Sequence, residues 1–209
     1  MIKKILSILE KDHKKTMLEQ LSHYTHFQML IATLLSSRTK DSTTIPIVKK
    51  IFTKYPGPDD LIKIDLKELE SLLFSIGFYK VKAKNLKKLS RIIIERYNRK
   101  VPETFEELTS LPGVGRKTAN CILAYTFNKP AIAVDTHVHR ISNRLEWVKT
   151  KYPEETEEAL KKIIPKRLWI DVNRLFVNHG QTTCLPVNPK CKICPVLKYC
   201  RFGLSRKDL

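Results

Sequence analysis

At 209 residues the chain is long enough for one large domain or two small ones, and a hydrophobic content of 42% excludes disorder as the default. Lys and Arg number 39 against 21 Asp and Glu, a net charge of +18 with a pI near 9.8, so the expected partners are polyanions. No apolar run approaches the roughly 18 residues of a membrane span, and the charged N-terminus is not a signal peptide, which points to an intracellular protein with reduced thiols.

Taken in order, the chain shows helical periodicity almost throughout and no alternating strand. Ile2, Ile5, Leu6 and Leu9 form the apolar face of a first helix. His26 to Ser36 is apolar nearly all round (Phe27, Met29, Leu30, Ile31, Leu34, Leu35), the pattern of a buried helix. Asp41-Ser-Thr-Thr is a helix start before Ile45, Val48, Ile51 and Phe52. Pro56-Gly-Pro is a turn, and Asp65 caps a helix carrying Leu66, Leu69, Leu72 and Leu73 that Gly77 ends. Lys80 to Tyr97 has Ala83, Leu86, Leu89, Ile93 and Tyr97 at core spacing, with its five lysines outside. Thr104 and Glu107 match a capping box. Leu111 leads through Pro112-Gly-Val-Gly115 into a helix from about Arg116 to Tyr125. Asp135 opens the next helix, with Val138, Ile141 and Leu145. Pro153 fits a first helical position before Ala159, Leu160, Ile163 and Ile164. Trp169, Val172, Phe176 and His179 line a last helix that Gly180 stops. The expected class is all-α, with around ten helices.

Two places carry chemistry. At Pro112-Gly-Val-Gly115 the amides near Gly113, Val114 and Gly115 meet a helix N-terminus, whose unpaired donors and partial positive charge suit a phosphate oxygen. A glycine C-cap is the plain alternative. Lys117 follows within the first turn, beside Arg116; both the helix end and this neighbour disfavour its ammonium form, and a deprotonated lysine can attack a sugar carbon to form a Schiff base. Asp135 is a good N-cap, and one residue can serve both as cap and as catalytic carboxylate. The second place is Cys184-x6-Cys191-x2-Cys194-x5-Cys200, four thiols in one loop, which accept tetrahedral zinc or a 4Fe–4S cluster alike. Cys121 stands apart and reads as a buried apolar residue.

Leu111-Pro-Gly-Val-Gly-Arg-Lys-Thr-Ala-Asn120 followed by Ile132-Ala-Val-Asp-Thr-His137 resembles the helix-hairpin-helix motif and trailing aspartate of the endonuclease III family. These are bifunctional DNA glycosylases and AP lyases of base-excision repair, and the likeness runs from Leu30 to the last cysteine. It implies two helical domains with the active-site cleft between them. One is a six-helix barrel over residues 19–129, containing the hairpin at about 105–125. The other joins residues 1–18 to 130–209 and carries the cluster. It further implies Lys117 as the Schiff-base nucleophile and Asp135 as the carboxylate assisting glycosidic cleavage. The cysteine spacing resembles the family's iron–sulfur loop, which implies a 4Fe–4S cluster on Cys184, Cys191, Cys194 and Cys200, with Lys190, Lys192, Lys198 and Arg201 projecting towards DNA. Phe78, after Gly77, matches the wedge that fills the stack when a base is flipped out. Arg38 stands in a DNA-facing loop where many relatives have glutamine. Gly113, Val114, Gly115, Arg116, His137 and Arg140 complete the implied DNA contacts.

The expected function is therefore removal of oxidised pyrimidines from duplex DNA, with β-elimination at the abasic site, by a monomer acting in the cytoplasm at the nucleoid. An adenine or thymine mismatch glycosylase is the nearest alternative, and it generally lacks the lysine. A non-catalytic hairpin scaffold is the other, and it needs no Lys117–Asp135 pair.

Overall fold

The computed structural model describes residues 1–206, which hold thirteen α-helices, three short 3-10 turns and, among the described residues, no strand. Two compact units divide the chain: Met17–Asn128, and Met1–Thr16 together with Lys129–Leu209. The chain begins in the second of these with α1 (Ile2–Glu10), whose Ile5, Leu6 and Leu9 are buried.

The Met17–Asn128 unit contains α2 (Met17–Gln20), α3 (His26–Ser36), α4 (Asp41–Lys54), α5 (Pro58–Lys63), α6 (Leu66–Leu72), α7 (Tyr79–Tyr97), α8 (Phe105–Ser110) and α9 (Arg116–Tyr125). Its centre is α3, buried from Met29 to Leu35 and packed against α4, α7 and α9. Thr25 caps α3, accepting from the Gln28 amide at 3.3 Å while the Gln28 side chain accepts from Thr25 N at 3.2 Å. The two bonds satisfy donors that the first helical turn leaves unpaired.

Asp41 is the first residue of α4, where the sequence places a helix start, and an acid there complements the positive helix end. Other local expectations change. Pro56-Gly-Pro is a turn that also starts a helix: Gly57 is the cap of α5 and Pro58 its first residue, with Gly57 N donating to Asp60 Oδ2 at 3.0 Å. Asp65 caps α6, as its spacing suggests, but α6 ends at Leu72, before Gly77. The five lysines of α7 are not all outside. Lys82 is buried at 7% exposure, and Lys87 is half-buried with its ammonium on the carbonyls of Ile62 and Ile64, at the C-terminus of α5.

The other unit continues with α10 (Thr136–Arg144), α11 (Pro153–Ile163), α12 (Trp169–Thr182) and α13 (Arg201–Leu204). Its core joins Ile5, Leu6 and Leu9 to Val138, Ile141, Leu160, Val172, Leu175 and Phe176, so the first helix packs with the last third of the chain. Arg174 of α12 grips both carboxylate oxygens of Glu10, with Nη1 to Oε1 at 2.9 Å. Gly180 does not stop α12, which runs on to Thr182; it lies in the helix because the His137 ring covers it. A Cβ at Gly180 would stand 2.4 Å from His137 Nδ1.

Candidate active site and cysteine pocket

The hairpin turn is built by burying its apolar members and exposing its glycines. Leu111 and Val114 are 2% and 5% exposed, and Val114 N donates to Leu111 O at 3.1 Å. That bond corrects one expectation: the Val114 amide is turned inward, and Gly113 and Gly115 form the exposed edge of the turn. Gly113 has φ +81°, and a side chain there would also meet Asn85 Nδ2 at 2.8 Å. The left-handed backbone is what restricts position 113 to glycine. Gly115 caps α9 in extended backbone, with open space where a side chain would be. Arg116 opens the helix with its guanidinium 5.2 Å from the centre of the Phe105 ring. Lys117 is its second residue and is half-buried, beside buried Thr118, Ala119, Asn120 and Cys121.

In the other unit Asp135 is the N-cap of α10, one oxygen accepting from His137 N at 2.9 Å and from Val138 N at 2.8 Å. These two bonds fix the carboxylate's direction. His137 and Arg140, expected at DNA, also make bonds within the protein. Arg140 Nη2 lies 3.0 Å from His137 Nδ1, and the guanidinium donates to Cys184 O at 2.8 Å and Gly180 O at 3.2 Å. Arg144, one turn on, donates to Leu185 O at 2.7 Å and Pro186 O at 3.0 Å, and its Nη1 lies 3.3 Å from Cys184 Sγ. The sequence reading missed Arg144; its signal is the four-residue interval from Arg140, which puts both on one helix face.

Cys184, Cys191, Cys194 and Cys200 line one pocket, closed by Ile141, Leu145, Val196 and Leu197. Gly203 N donates to Cys200 Sγ at 3.4 Å, and His179 Nε2 lies 3.7 Å from Cys194 Sγ. Burial pushes the Cys194 thiol up to about 11 and raises Cys200 as well, while burial, then Arg140, takes His179 down to about 4. Among the described residues, no three His, Cys, Asp or Glu side chains are already gathered as around a metal ion; the four thiols line one pocket. Lys190, Lys192, Lys198 and Arg201 are exposed around it, and Cys121 is buried.

Arg38 and Phe78 come together in the Met17–Asn128 unit. Both have left-handed backbone, φ 54° and 59°, and the Arg38 guanidinium lies 5.3 Å from the centre of the Phe78 ring. Phe78 is 61% exposed, an apolar side chain held in solvent on a strained residue. It does not pack into the core.

The hairpin, the exposed aromatic and the basic surface define a helical protein built to act on nucleic acid. The chain belongs to the HhH-GPD superfamily of base excision DNA repair proteins, whose model matches residues 31–166. Within it, the chain is 46% identical over 204 residues to endonuclease III of Thermotoga maritima, covering 98% of this chain and 92% of that protein. It is 41% identical over 188 residues to endonuclease III of Bacillus subtilis, covering 90% and 86%. A solved non-covalent endonuclease III–DNA complex superposes with a TM-score of 0.90 at 40% identity, covering all of this chain and 97% of that one. A thermostable thymine-DNA glycosylase superposes at 0.84 with 26% identity, covering 98% and 95%. The protein is a base-excision-repair DNA glycosylase of the endonuclease III kind. No helix among the described residues is long and apolar enough to cross a membrane.

Proposed function

We propose that this enzyme removes oxidised pyrimidines from double-stranded DNA and then nicks the strand at the abasic site, with Lys117 as nucleophile and Asp135 as the supporting carboxylate. The observation that carries this reading is the position of Lys117: half-buried, second in α9, directly after the exposed Gly113–Gly115 edge. A phosphate held at that edge would bring the neighbouring sugar to the amine. The reading requires Lys117 and Asp135 to reach one nucleoside.

As the glycosidic bond lengthens, positive charge builds on the sugar, and the Asp135 carboxylate stabilises it. The neutral Lys117 amine attacks C1′, the base leaves with the bonding pair and takes up a proton, and the amine sheds one. The nitrogen lone pair then forms the C1′=N bond as the C1′–O4′ bond breaks, O4′ takes up a proton, and the opened sugar is held as an iminium. The iminium acidifies the C2′ hydrogen; its removal expels the 3′ phosphate, cutting the strand, and water releases the lysine. Phe78 fills the space that the flipped base leaves. Arg38, Gly113, Gly115, Arg116, His137, Arg140, Lys190 and Lys192 make up the remaining DNA contacts. Val114 serves that edge through its buried side chain.

Cys184, Cys191, Cys194 and Cys200 would hold a 4Fe–4S cluster, whose contribution is to order the 184–200 loop and its exposed cations. The shared pocket and the Gly203 and Arg144 N–H groups at its sulfurs support this assignment. Iron analysis with absorbance near 400 nm tests it, and a colourless protein with one zinc would overturn it. The enzyme would act as a monomer on nucleoid DNA. Borohydride trapping on abasic-site duplex tests the nucleophile: a covalent adduct is expected from wild type and none from Lys117→Ala. An adduct that persists in the variant would remove Lys117 from its role.

A further inference from the structure

The buried amine of α7 lies where three turns of the Met17–Asn128 unit converge. Lys82 Nζ donates to Leu35 O at 2.9 Å and to Ser37 O at 2.5 Å, so a side chain from α7 closes the C-terminus of α3. Helix-end carbonyls carry partial negative charge and lack partners of their own, which an ammonium meets on both counts. Ser37 is followed by Arg38 in left-handed backbone. The Lys82 amide, at the same residue, donates to Phe78 O at 3.0 Å, the first bond of α7. One residue therefore holds both sides of the Arg38–Phe78 pair, through its side chain on one and its backbone on the other.

Further contacts stitch the same turns. Gly77 N donates to Thr39 Oγ1 at 3.0 Å, and a Cβ at Gly77 would stand 2.7 Å from Arg38 O. Lys82 also shares an open pocket with Ser37, Arg38, Phe78, Asn85 and Gly113, the last being the turn of the hairpin. Burial lowers the Lys82 pKa to about 8, as expected of an ammonium that has exchanged water for two carbonyls.

We propose that Lys82 is a positioning residue for base extrusion: it holds the Arg38 turn against the Phe78 turn so that the two enter the duplex as one rigid body. Without the ammonium the α3 carbonyls are left unpaired, the turn around Arg38 relaxes, and Phe78 loses the partner stacked on it. The role is to open a paired duplex, not to perform the chemistry that follows. It rests on the reading of Phe78 as a wedge.

Lys82→Met, Phe78→Ala and wild type are compared in single-turnover glycosylase assays on a duplex carrying one thymine glycol, either fully paired or within an unpaired bubble. A bubble needs no opening, so a defect in extrusion is relieved there, whereas a general loss of folding is not. In Lys82→Met and Phe78→Ala alike, the ratio of paired to bubble rates is expected to fall roughly tenfold below wild type. An unchanged ratio in Lys82→Met, whether both rates drop together or neither drops, overturns the role of Lys82. The same result in Phe78→Ala overturns the wedge itself, and the inference with it. Should Lys82→Met fail to fold, Lys82→Gln, which keeps a donor without the charge, is carried through the same pair of substrates and decides on the same ratio.

Discussion

The two units fix their functional loops with different cations. In the Met17–Asn128 unit, lysines of α7 close helix ends: Lys82 on Leu35 and Ser37, Lys87 on Ile62 and Ile64. In the other unit, arginines of α10 fork onto the last turn of α12 and the cysteine loop: Arg140 on Gly180 and Cys184, Arg144 on Leu185 and Pro186. A lysine is a point charge whose proton can be lost when it is buried; a guanidinium stays charged and holds several carbonyls in one plane. The first arrangement suits turns that must present a wedge. The second suits a loop whose carbonyls have to be gathered beside four thiols.

That contrast can be broken at several points. The largest effect is expected from Lys117→Ala, which should lower strand cleavage of abasic duplex by about a thousandfold or more and leave the melting temperature nearly unchanged. A smaller loss there would mean that another amine does the work. Next is Cys194→Ser, which replaces one of the four thiols with a hydroxyl: loss of bound iron and a lower melting temperature are expected, with α3 and its neighbours the last amides to exchange in hydrogen exchange. Asp135→Asn comes third. Asparagine caps a helix as well as aspartate does, so stability should stay within about 1 kcal/mol while glycosylase turnover falls roughly a hundredfold. Equal losses in both would reduce Asp135 to a cap.

Arg144→Lys keeps the charge and loses the fork, and should destabilise the protein by roughly 1–2 kcal/mol in chemical denaturation. The smallest effect concerns pH. The folded pKa of Lys82, about 8, lies below its ordinary 10.5, so between those values the unfolded chain binds more protons and stability gains with rising pH. Melting curves from pH 7 to 10.5 should show that gain in wild type relative to Lys82→Met. A constant difference between the two would mean that the lysine is not desolvated.

Much of this was legible because the signals are local. Asp65 and Asp135 cap the helices their spacing announces, α3 is buried as its unbroken apolar run requires, and the turn at Pro112 separates two helices. Lys117, Asp135 and the four cysteines stood out because each sits in a short pattern with a chemical meaning. What the sequence hid depends on distant partners. Lys82 looks like any polar residue of an amphipathic helix, since its carbonyls lie 45 and 47 positions away. Gly180 looked like a helix stop because the ring that replaces its side chain comes from His137. Nothing near Arg140 announces the carbonyls of Gly180 and Cys184, which come from 40 and 44 positions away.

The clasp between Glu10 and Arg174 joins residues 164 positions apart. The ribosome delivers α1 well ahead of its partners, so at roughly 5–20 residues per second the apolar face of Ile5, Leu6 and Leu9 waits about 8–30 s for its cover. The Met17–Asn128 unit is continuous and can assemble during that interval. The charges at Lys3, Lys4 and Glu10 then matter before the fold exists, keeping an uncovered helix soluble until α10 to α12 arrive to receive it.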